Sequence, residues 1–234
     1  MTITIKQFSP VVIVTVMVII ITGIFLTGAR AQTASPQFMI TWQSRTYVPP
    51  GFEGKILPTA NSLIMVSFEL IDEGKPADMS AQTVYWYANN NFLKGGKGLR
   101  HIEFRAPDTA GGTIDLRAEV PNYKRGPQLK TIGIPIVSPK AVIEAPFPNN
   151  EFSASPIQLT GLPYFFNVRD ISALNFDWRV NGVAPAGTEN PDVLTVRLNQ
   201  DAPSGSPLGI TFAVRNKNNA LEGASVNVNL IYKP

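Results

Sequence analysis

The sequence of 234 residues has no cysteine, a single histidine and few charged side chains, which make up 16% of the chain. The lack of cysteine excludes disulfides, thiolate metal sites and thiol nucleophiles. His101, the single histidine, excludes a two-histidine metal site, and no Gly-x-Ser-x-Gly motif is present to expose a serine nucleophile. We therefore predict a chain that is not an enzyme, with no catalytic residues, no metal site and no cofactor.

A strong excess of one charge sign is also missing. Lys6 and Arg30 belong to the N-terminal segment, and the remaining chain has 18 basic and 17 acidic side chains. This near balance, without a basic stripe, argues against nucleic acid as a partner. The segment Lys94–Gly98 is rich in lysine and glycine, but it lacks the spacing of a phosphate-binding loop and is predicted to be the turn of a flexible hairpin.

The first 31 residues follow the order of a secretory signal. Lys6 precedes an uncharged apolar run from Pro10 to Leu26, which is predicted to be a hydrophobic helix. Ala29 and Ala31 then offer small side chains at the positions that a signal peptidase reads. The segment therefore predicts export of the chain.

Two fates of this segment remain open. Cleavage after Ala31 would leave Gln32 at the mature N terminus. The apolar run is longer than a usual signal core and approaches the length of a membrane-spanning helix, so residues 8–28 are alternatively a retained membrane anchor. Residues 32–35 form a polar spacer, and both fates place the rest of the chain on the outer side of the cytoplasmic membrane, either anchored or released to the periplasm or cell surface.

Beyond the spacer, apolar and polar side chains alternate with the period of two that is typical of β-strands. In Thr113–Val120 every charged side chain falls on one face and every apolar side chain on the other. Ser225–Leu230 repeats the pattern with asparagine as the polar residue. Turn clusters rich in proline and glycine separate such segments. No segment beyond the N-terminal one has a sustained helical period with capping residues. The exported part is therefore predicted to be all-β.

An internal repeat sets the number of domains. The pattern Trp-x-x-Asn begins at Trp86 and again at Trp178, 92 residues later, and the same order of strands and turns follows each tryptophan. We predict two tandem immunoglobulin-like β-sandwiches, at residues 36–138 and 142–234, which have the size of that fold. Each tryptophan is predicted to lie in the core of its own sandwich.

These positions carry a family resemblance. The tryptophan strands are followed by the corners Ala106–Asp108 and Asp201–Pro203, and a strand beginning with glycine comes after each corner. The combination resembles the bacterial immunoglobulin-like and polycystic-kidney-disease-type modules of exported and surface proteins. The resemblance implies a packing role for Trp86 and Trp178 and a function as spacer, adhesion module or part of an envelope assembly.

Tyrosines beside the first tryptophan are the remaining candidates for binding. If Trp86 faces the core, its neighbours Tyr85 and Tyr87 face outward, because side chains alternate along a strand. An outward tyrosine pair could stack on a sugar or contact a partner protein. The alternative is that both rings simply cover the face of their own sheet.

These observations predict a non-enzymatic protein of the cell envelope with a structural or protein-interaction role and an envelope protein as partner. One alternative is a module that binds carbohydrate or a surface polymer through Tyr85 and Tyr87. A less favoured one is a periplasmic pilus-type chaperone, which has a similar length, a signal and two such domains. Thr131–Val137 could imitate its donor strand, but Pro135 interrupts the ladder and the sequence does not place the basic pair of that family.

Overall fold

A computed structural model describes residues 35–187, 190–199 and 201–234 of the chain. Within these ranges the regular structure is β-strand, apart from two single turns of 3₁₀-helix at Pro148–Asn150 and Ile171–Ala173. None of the helices in the described part is long and apolar enough to cross a membrane. The predicted signal or anchor, with residues 8–28 and the positions Ala29, Ala31 and Gln32, lies outside the described residues.

The first sandwich contains eight strands in two sheets. They are β1 (Gln37–Ser44), β2 (Leu63–Asp72), β3 (Lys75–Pro76), β4 (Thr83–Ala88), β5 (Asn91–Lys97), β6 (His101–Arg105), β7 (Thr113–Val120) and β8 (Gln128–Pro135). In one sheet β2 pairs with β1 on one side and with β6 and β3 on the other. The facing sheet has the order β5, β4, β7, β8, and all neighbouring strands are antiparallel.

The second sandwich repeats this plan with seven strands. They are β9 (Lys140–Glu144), β10 (Glu151–Phe152), β11 (Ile157–Tyr164), β12 (Leu174–Val180), β13 (Val193–Val196), β14 (Pro207–Asn216) and β15 (Asn219–Tyr232). One sheet has the order β13, β11, β9, and the other has the order β10, β15, β14, β12. Only the short β10 runs parallel to its neighbour among these described strands. The described chain is thus all-β, with two tandem immunoglobulin-like sandwiches.

Alternation of side chains along the strands builds each core. The four apolar side chains of β7 are all buried, while the charged ones point to the other face. The same alternation in β14 buries Leu208, Ile210, Phe212 and Val214. The predicted strand character of these segments is confirmed.

The two tryptophans occupy equivalent places in two separate cores. Trp86 is fully buried and its ring lies 5.7 Å from that of Phe68, whereas Trp178 is 4% exposed and lies 4.3 Å from Phe212. Each indole Nε1 donates a hydrogen bond of 3.0 Å to a backbone carbonyl that lies 13 residues further along the chain. The sequence repeat is therefore a repeat of structure.

The last strand of the first core, β8, ends at Pro135, and β9 begins at Lys140. The second domain is predicted to begin at residue 142. Strand β9 begins two residues earlier, at Lys140, in the segment that the prediction assigns to the linker. The predicted turn at Lys94–Gly98 is wrong, because most of that segment lies in β5.

The turn of this hairpin lies earlier, at Asn89 and Asn90, whose φ angles are 48° and 64°. Positive φ at two successive residues is the requirement of a tight two-residue hairpin turn, and asparagine tolerates it better than most residues. Two asparagines therefore make the turn, and the glycines that follow are free to take strand conformation.

A long loop between β1 and β2 of the first sandwich contacts the second sandwich. The backbone N–H of Tyr47 donates to the carbonyl of Phe166 and the N–H of Phe165 donates to the carbonyl of Tyr47, both at 2.7 Å. The Tyr47 side chain packs against the second core. The ring of Phe52 lies 5.7 Å from Tyr164 and 5.9 Å from Phe165. Residues from the first half of the sequence thus complete the packing of the second sandwich.

Candidate functional site

Tyr85 and Tyr87 lie on the outer face of the sheet formed by β5, β4, β7 and β8. Along β4, Val84 and Trp86 are buried and the two tyrosines between and after them are half-buried. Their partners across the strand pair are Glu119 for Tyr85 and Arg117 for Tyr87. The prediction that Tyr85 and Tyr87 point outward is confirmed. Their rings lie beside charged side chains of β7.

Tyr87 is held from two sides. The guanidinium carbon of Arg117 lies 4.6 Å from the centre of its ring, a cation–π contact, and the ring of Phe92 meets it edge to face at 5.8 Å. Arg117 is itself fixed, because its Nε lies 2.8 Å from the carboxylate of Glu119 and its Nη1 donates to Asn90. The Tyr87 ring therefore has a defined orientation.

Tyr85 lies against the backbone of β5. A Cβ atom placed on Gly95, its cross-strand neighbour, would come within 2.6 Å of the Tyr85 ring. Glycine at this position therefore makes the space that the ring occupies, and Phe92 lies 6.4 Å away on the same face. Within Lys94–Gly98, Gly95 therefore has a packing role in β5.

Two apolar side chains on this face remain strongly exposed. Phe92 on β5 is 60% exposed and Leu129 on β8 is 61% exposed. They flank the tyrosines from opposite edges of the four-stranded sheet. We call the surface formed by Tyr85, Tyr87, Phe92, Arg117 and Leu129 the aromatic face. Its aromatic and arginine side chains are of the types enriched at protein interfaces.

The sequence points to only part of this face. It singles out the two tyrosines because they flank a core tryptophan. Arg117 and Leu129 reach the same surface through strand pairing, in which Arg117 pairs with Tyr87 and Leu129 with Glu119. Arg117 and Leu129 could have been found only from the pairing register of β4, β7 and β8, which cannot be read from the sequence of one strand.

The structure also places the single histidine and the acidic side chains that the sequence analysis considered. His101 is exposed on β6, next to the buried Ile102. In the described ranges, no group of three or more histidine, aspartate or glutamate side chains is arranged to hold a metal ion.

A buried acid lies at one end of the first sandwich. The hydroxyl of Tyr123 donates to Asp72 Oδ2 at 2.7 Å, and Lys124 Nζ and Arg125 Nε each lie 3.2 Å from the same carboxylate. The hydrogen bond from Tyr123, followed by the contacts of Lys124 and Arg125, holds the pKa of Asp72 below its ordinary value. Burial and the neighbouring Asp72 raise the pKa of Tyr123 to about 12. This arrangement ties the end of β2 to the turn after β7 and needs no ligand to explain it.

The fold places the chain in the class of tandem immunoglobulin-like proteins. Comparison with known proteins adds little beyond the fold, since no family model and no curated protein matches the sequence. Among solved structures, the fibronectin(III)-like modules of CbhA from Clostridium thermocellum are 16% identical over 83% of this chain and 94% of theirs, with a TM-score of 0.29.

Two further structures are similar at the same level. The three N-terminal domains of the outer capsid protein Hoc from bacteriophage RB49 are 12% identical over 85% of this chain, with a TM-score of 0.42. The adhesin InvE from Yersinia pseudotuberculosis is 16% identical over 83% of this chain, with a TM-score of 0.27. This chain spans 59% of each of those two structures. Identities and TM-scores this low carry no argument about function.

Proposed function

We propose that this chain is an exported, non-enzymatic protein of the cell envelope that binds a partner protein through the aromatic face of its first sandwich. The observation that carries the proposal is the exposure of Phe92 and Leu129 on one sheet face around a fixed Tyr87–Arg117 pair. Exposed apolar side chains grouped around ordered aromatic and arginine residues supply the anchors that protein interfaces use.

The geometry favours a protein over a sugar as the partner. A sugar ring stacks on an aromatic ring whose flat face is open. One face of the Tyr87 ring is covered by Arg117 and Phe92 contacts the same ring edge to face, while the Tyr85 ring lies against Gly95. The most exposed groups are instead a phenyl ring and a leucine at opposite edges of the sheet. These two side chains fit the shallow pockets of a protein surface better than a single sugar platform.

A capture experiment tests the proposal. The full chain is used as bait in a membrane and envelope extract, next to a Phe92→Ser/Leu129→Ser variant and a Leu221→Ser control. Leu221 is 97% exposed but lies on the second sandwich, so the control removes an even more exposed apolar side chain elsewhere. We expect the wild type and the control to capture the same protein, and the double variant to lose at least tenfold in affinity for it, about the effect of one interface anchor.

Equal capture by all three baits would contradict the proposal. A glycan array covers the alternative, with Tyr85→Ala and Tyr87→Ala as variants. We expect no saturable glycan binding to the wild type. Saturable binding that either variant loses would establish the carbohydrate function in place of the protein one.

Export is supported by the order of charge, apolar run and small residues in the first 31 positions. Cell fractionation followed by N-terminal sequencing tests it. A mature chain beginning at Gln32 would show cleavage, and a membrane-bound chain with its original N terminus would show that residues 8–28 anchor it. Recovery of the chain in the cytosol would contradict export. The chaperone alternative has less support, because β8 ends at Pro135, within the segment Thr131–Val137 that would serve as the donor strand.

A further inference from the structure

Three arginines from distant parts of the sequence line one cleft between the two sandwiches. Arg45 follows β1, Arg105 is the last residue of β6, and Arg169 lies in the loop after β11. Two of them therefore belong to the first sandwich and one to the second. We infer that this arginine cleft binds a phosphate group, a ligand chemistry distinct from that of the aromatic face.

The three guanidinium groups have little negative charge to balance them. Arg45 lies 3.8 Å from Glu103, and both side chains are about half exposed, so this ion pair is long and screened. Arg105 donates from Nη1 to the neutral backbone carbonyl of Asn61 at 3.1 Å. Arg169 is exposed, and within the described part of the chain its side chain makes no hydrogen bond or ion pair.

Two other acids beside residues of the cleft are engaged with neutral groups. Asp170, which follows Arg169, accepts a hydrogen bond of 2.7 Å from the backbone N–H of Ser172 and caps a 3₁₀ turn. Glu222 is buried, and its carboxylate accepts from the backbone N–H of Asn167 and from the side chain of Asn216. These contacts direct both carboxylates to backbone and amide groups, and within the described residues neither forms an ion pair with an arginine of the cleft.

The walls of the cleft suit an anion of more than one charge. Leu63, Val168 and Ala173 contribute apolar surface, which strengthens the field of nearby charges, and Asn167 and Asn218 add neutral polar groups. Arginine presents a planar fork of donors that matches the oxygens of phosphate in pairs. Three such forks repel one another without an anion between them, and a phosphate group relieves that repulsion more fully than a single carboxylate does.

The junction between the sandwiches holds the cleft in place. Tyr47, whose backbone pairs with Phe166, is two residues after Arg45, and Asn167 directly follows Phe166. The paired backbone thus fixes one wall from each sandwich. Binding to a site that is already formed does not spend interaction energy on ordering the chain.

Calorimetric titration of the full chain in detergent with inorganic phosphate, at constant ionic strength, tests the inference. The variants are Arg169→Gln and the double variant Arg105→Gln/Arg169→Gln, and the matched control is Arg197→Gln. Arg197 is an exposed arginine of the second sandwich outside the cleft. We expect saturable binding to the wild type, a loss of about tenfold in affinity for Arg169→Gln and a larger loss for the double variant, as for charged hydrogen bonds in general.

The control is expected to bind within about twofold of the wild type, which is the range of a remote surface charge. The inference is overturned if the wild type shows no saturable binding, if Arg169→Gln and the double variant bind phosphate as well as the wild type does, or if acetate binds as tightly as phosphate. Because this site shares no residue with the aromatic face, its result does not depend on the capture experiment.

Two further probes distinguish the source of the phosphate. Glycerol 3-phosphate ends in a phosphomonoester, whereas glycerophosphoglycerol has the phosphodiester of polymers and lipid headgroups. Tighter binding of the monoester, lost in Arg169→Gln, would assign a soluble phosphate ester as ligand. Tighter binding of the diester with the same dependence would assign a polymer or headgroup, and binding of the free ion alone would assign inorganic phosphate.

Discussion

Tyr123 donates its hydroxyl hydrogen to the buried carboxylate of Asp72 over 2.7 Å, and so joins the end of β2 to the turn that follows β7. The bond requires a protonated tyrosine and an ionised aspartate. The hydrogen bond is the main cause that lowers the pKa of Asp72, whereas burial first and the bond to Asp72 second raise the pKa of Tyr123 to about 12. The pair therefore stabilises the first sandwich only between two pH limits.

Loss of the tyrosine hydroxyl gives the first prediction. Tyr123→Phe should lower the free energy of unfolding by about 1–3 kcal/mol near neutral pH, because it removes one donor to a buried carboxylate. The raised pKa of Tyr123 means that its contribution is fully present below its ordinary pKa of 10.0 and is lost as the pH rises through about 12. The difference between wild type and variant in denaturant titrations should therefore shrink over that interval.

The lowered pKa of Asp72 sets the acid limit in the opposite sense. Its contribution is present above its ordinary pKa of 3.8 and is lost as the pH falls through the lower folded value. The matched control is Tyr232→Phe, which removes the hydroxyl of a half-buried tyrosine in the second sandwich and should leave the stability of the first sandwich unchanged. A difference between wild type and Tyr123→Phe that stays constant up to pH 12 would refute this account of the pair.

The separate cores predict that each tryptophan stabilises its own sandwich. Trp86→Ala and Trp178→Ala should each cost about 3–5 kcal/mol, since each removes a buried ring from the centre of a core. Differential scanning calorimetry should show the transition of one sandwich lowered or lost, with the other largely retained. If either substitution abolished both transitions, the two cores would not be independent.

A glycine in β11 should tolerate no side chain. A Cβ atom on Gly161 would come within 2.3 Å of the buried Phe212 ring, so Gly161→Ala should destabilise the second sandwich by about 1–3 kcal/mol through overpacking. Gly209→Ala is the control in the same sandwich, because its Cβ would meet its nearest neighbours at an ordinary 3.5 Å. Thermal unfolding should separate the two variants, and equal melting temperatures would count against the close approach.

The junction predicts a substitution in the first half of the sequence that weakens the second sandwich. Phe52→Ala removes the ring that contacts Tyr164 and Phe165 and should lower the stability of the second sandwich by about 1–2 kcal/mol. Phe92→Ala removes an exposed phenylalanine of the first sandwich and should leave both calorimetric transitions in place. An effect of Phe52→Ala on the first transition alone would show that the loop stabilises only its own sandwich.

Period-two patterns and the tryptophan repeat are local features, and they predict the strands and both cores well. In Thr113–Val120 each side chain's face follows from its position, and Trp86 and Trp178 lie where their repeat predicts. The turn at Asn89–Asn90 was harder to predict, because Lys94–Gly98 has more glycine and looks like the stronger turn. In the structure Gly95 lies in strand β5, where its lack of a side chain leaves space for the Tyr85 ring. That need for space arises only after β4 and β5 pair.

The junction and the arginine cleft depend on contacts between residues far apart in the sequence. Tyr47 and Phe52 lie in a segment whose prolines and glycines indicate only a turn. Their contact with residues 164–166 has no periodic signature. Arg45, Arg105 and Arg169 come together through the same contact, so neither site is visible before the two sandwiches are placed side by side.

The contact between Tyr47 and Phe166 makes the second sandwich depend on a loop of the first. A fragment that begins at β9 would keep all of its own strands but uncover Phe165 and Phe166, which the complete chain hides. Such a fragment should be prone to self-association, since newly bared aromatic surface favours contacts between copies. Duplication or exchange of the second repeat alone would leave behind the loop between β1 and β2 that covers these two aromatic residues.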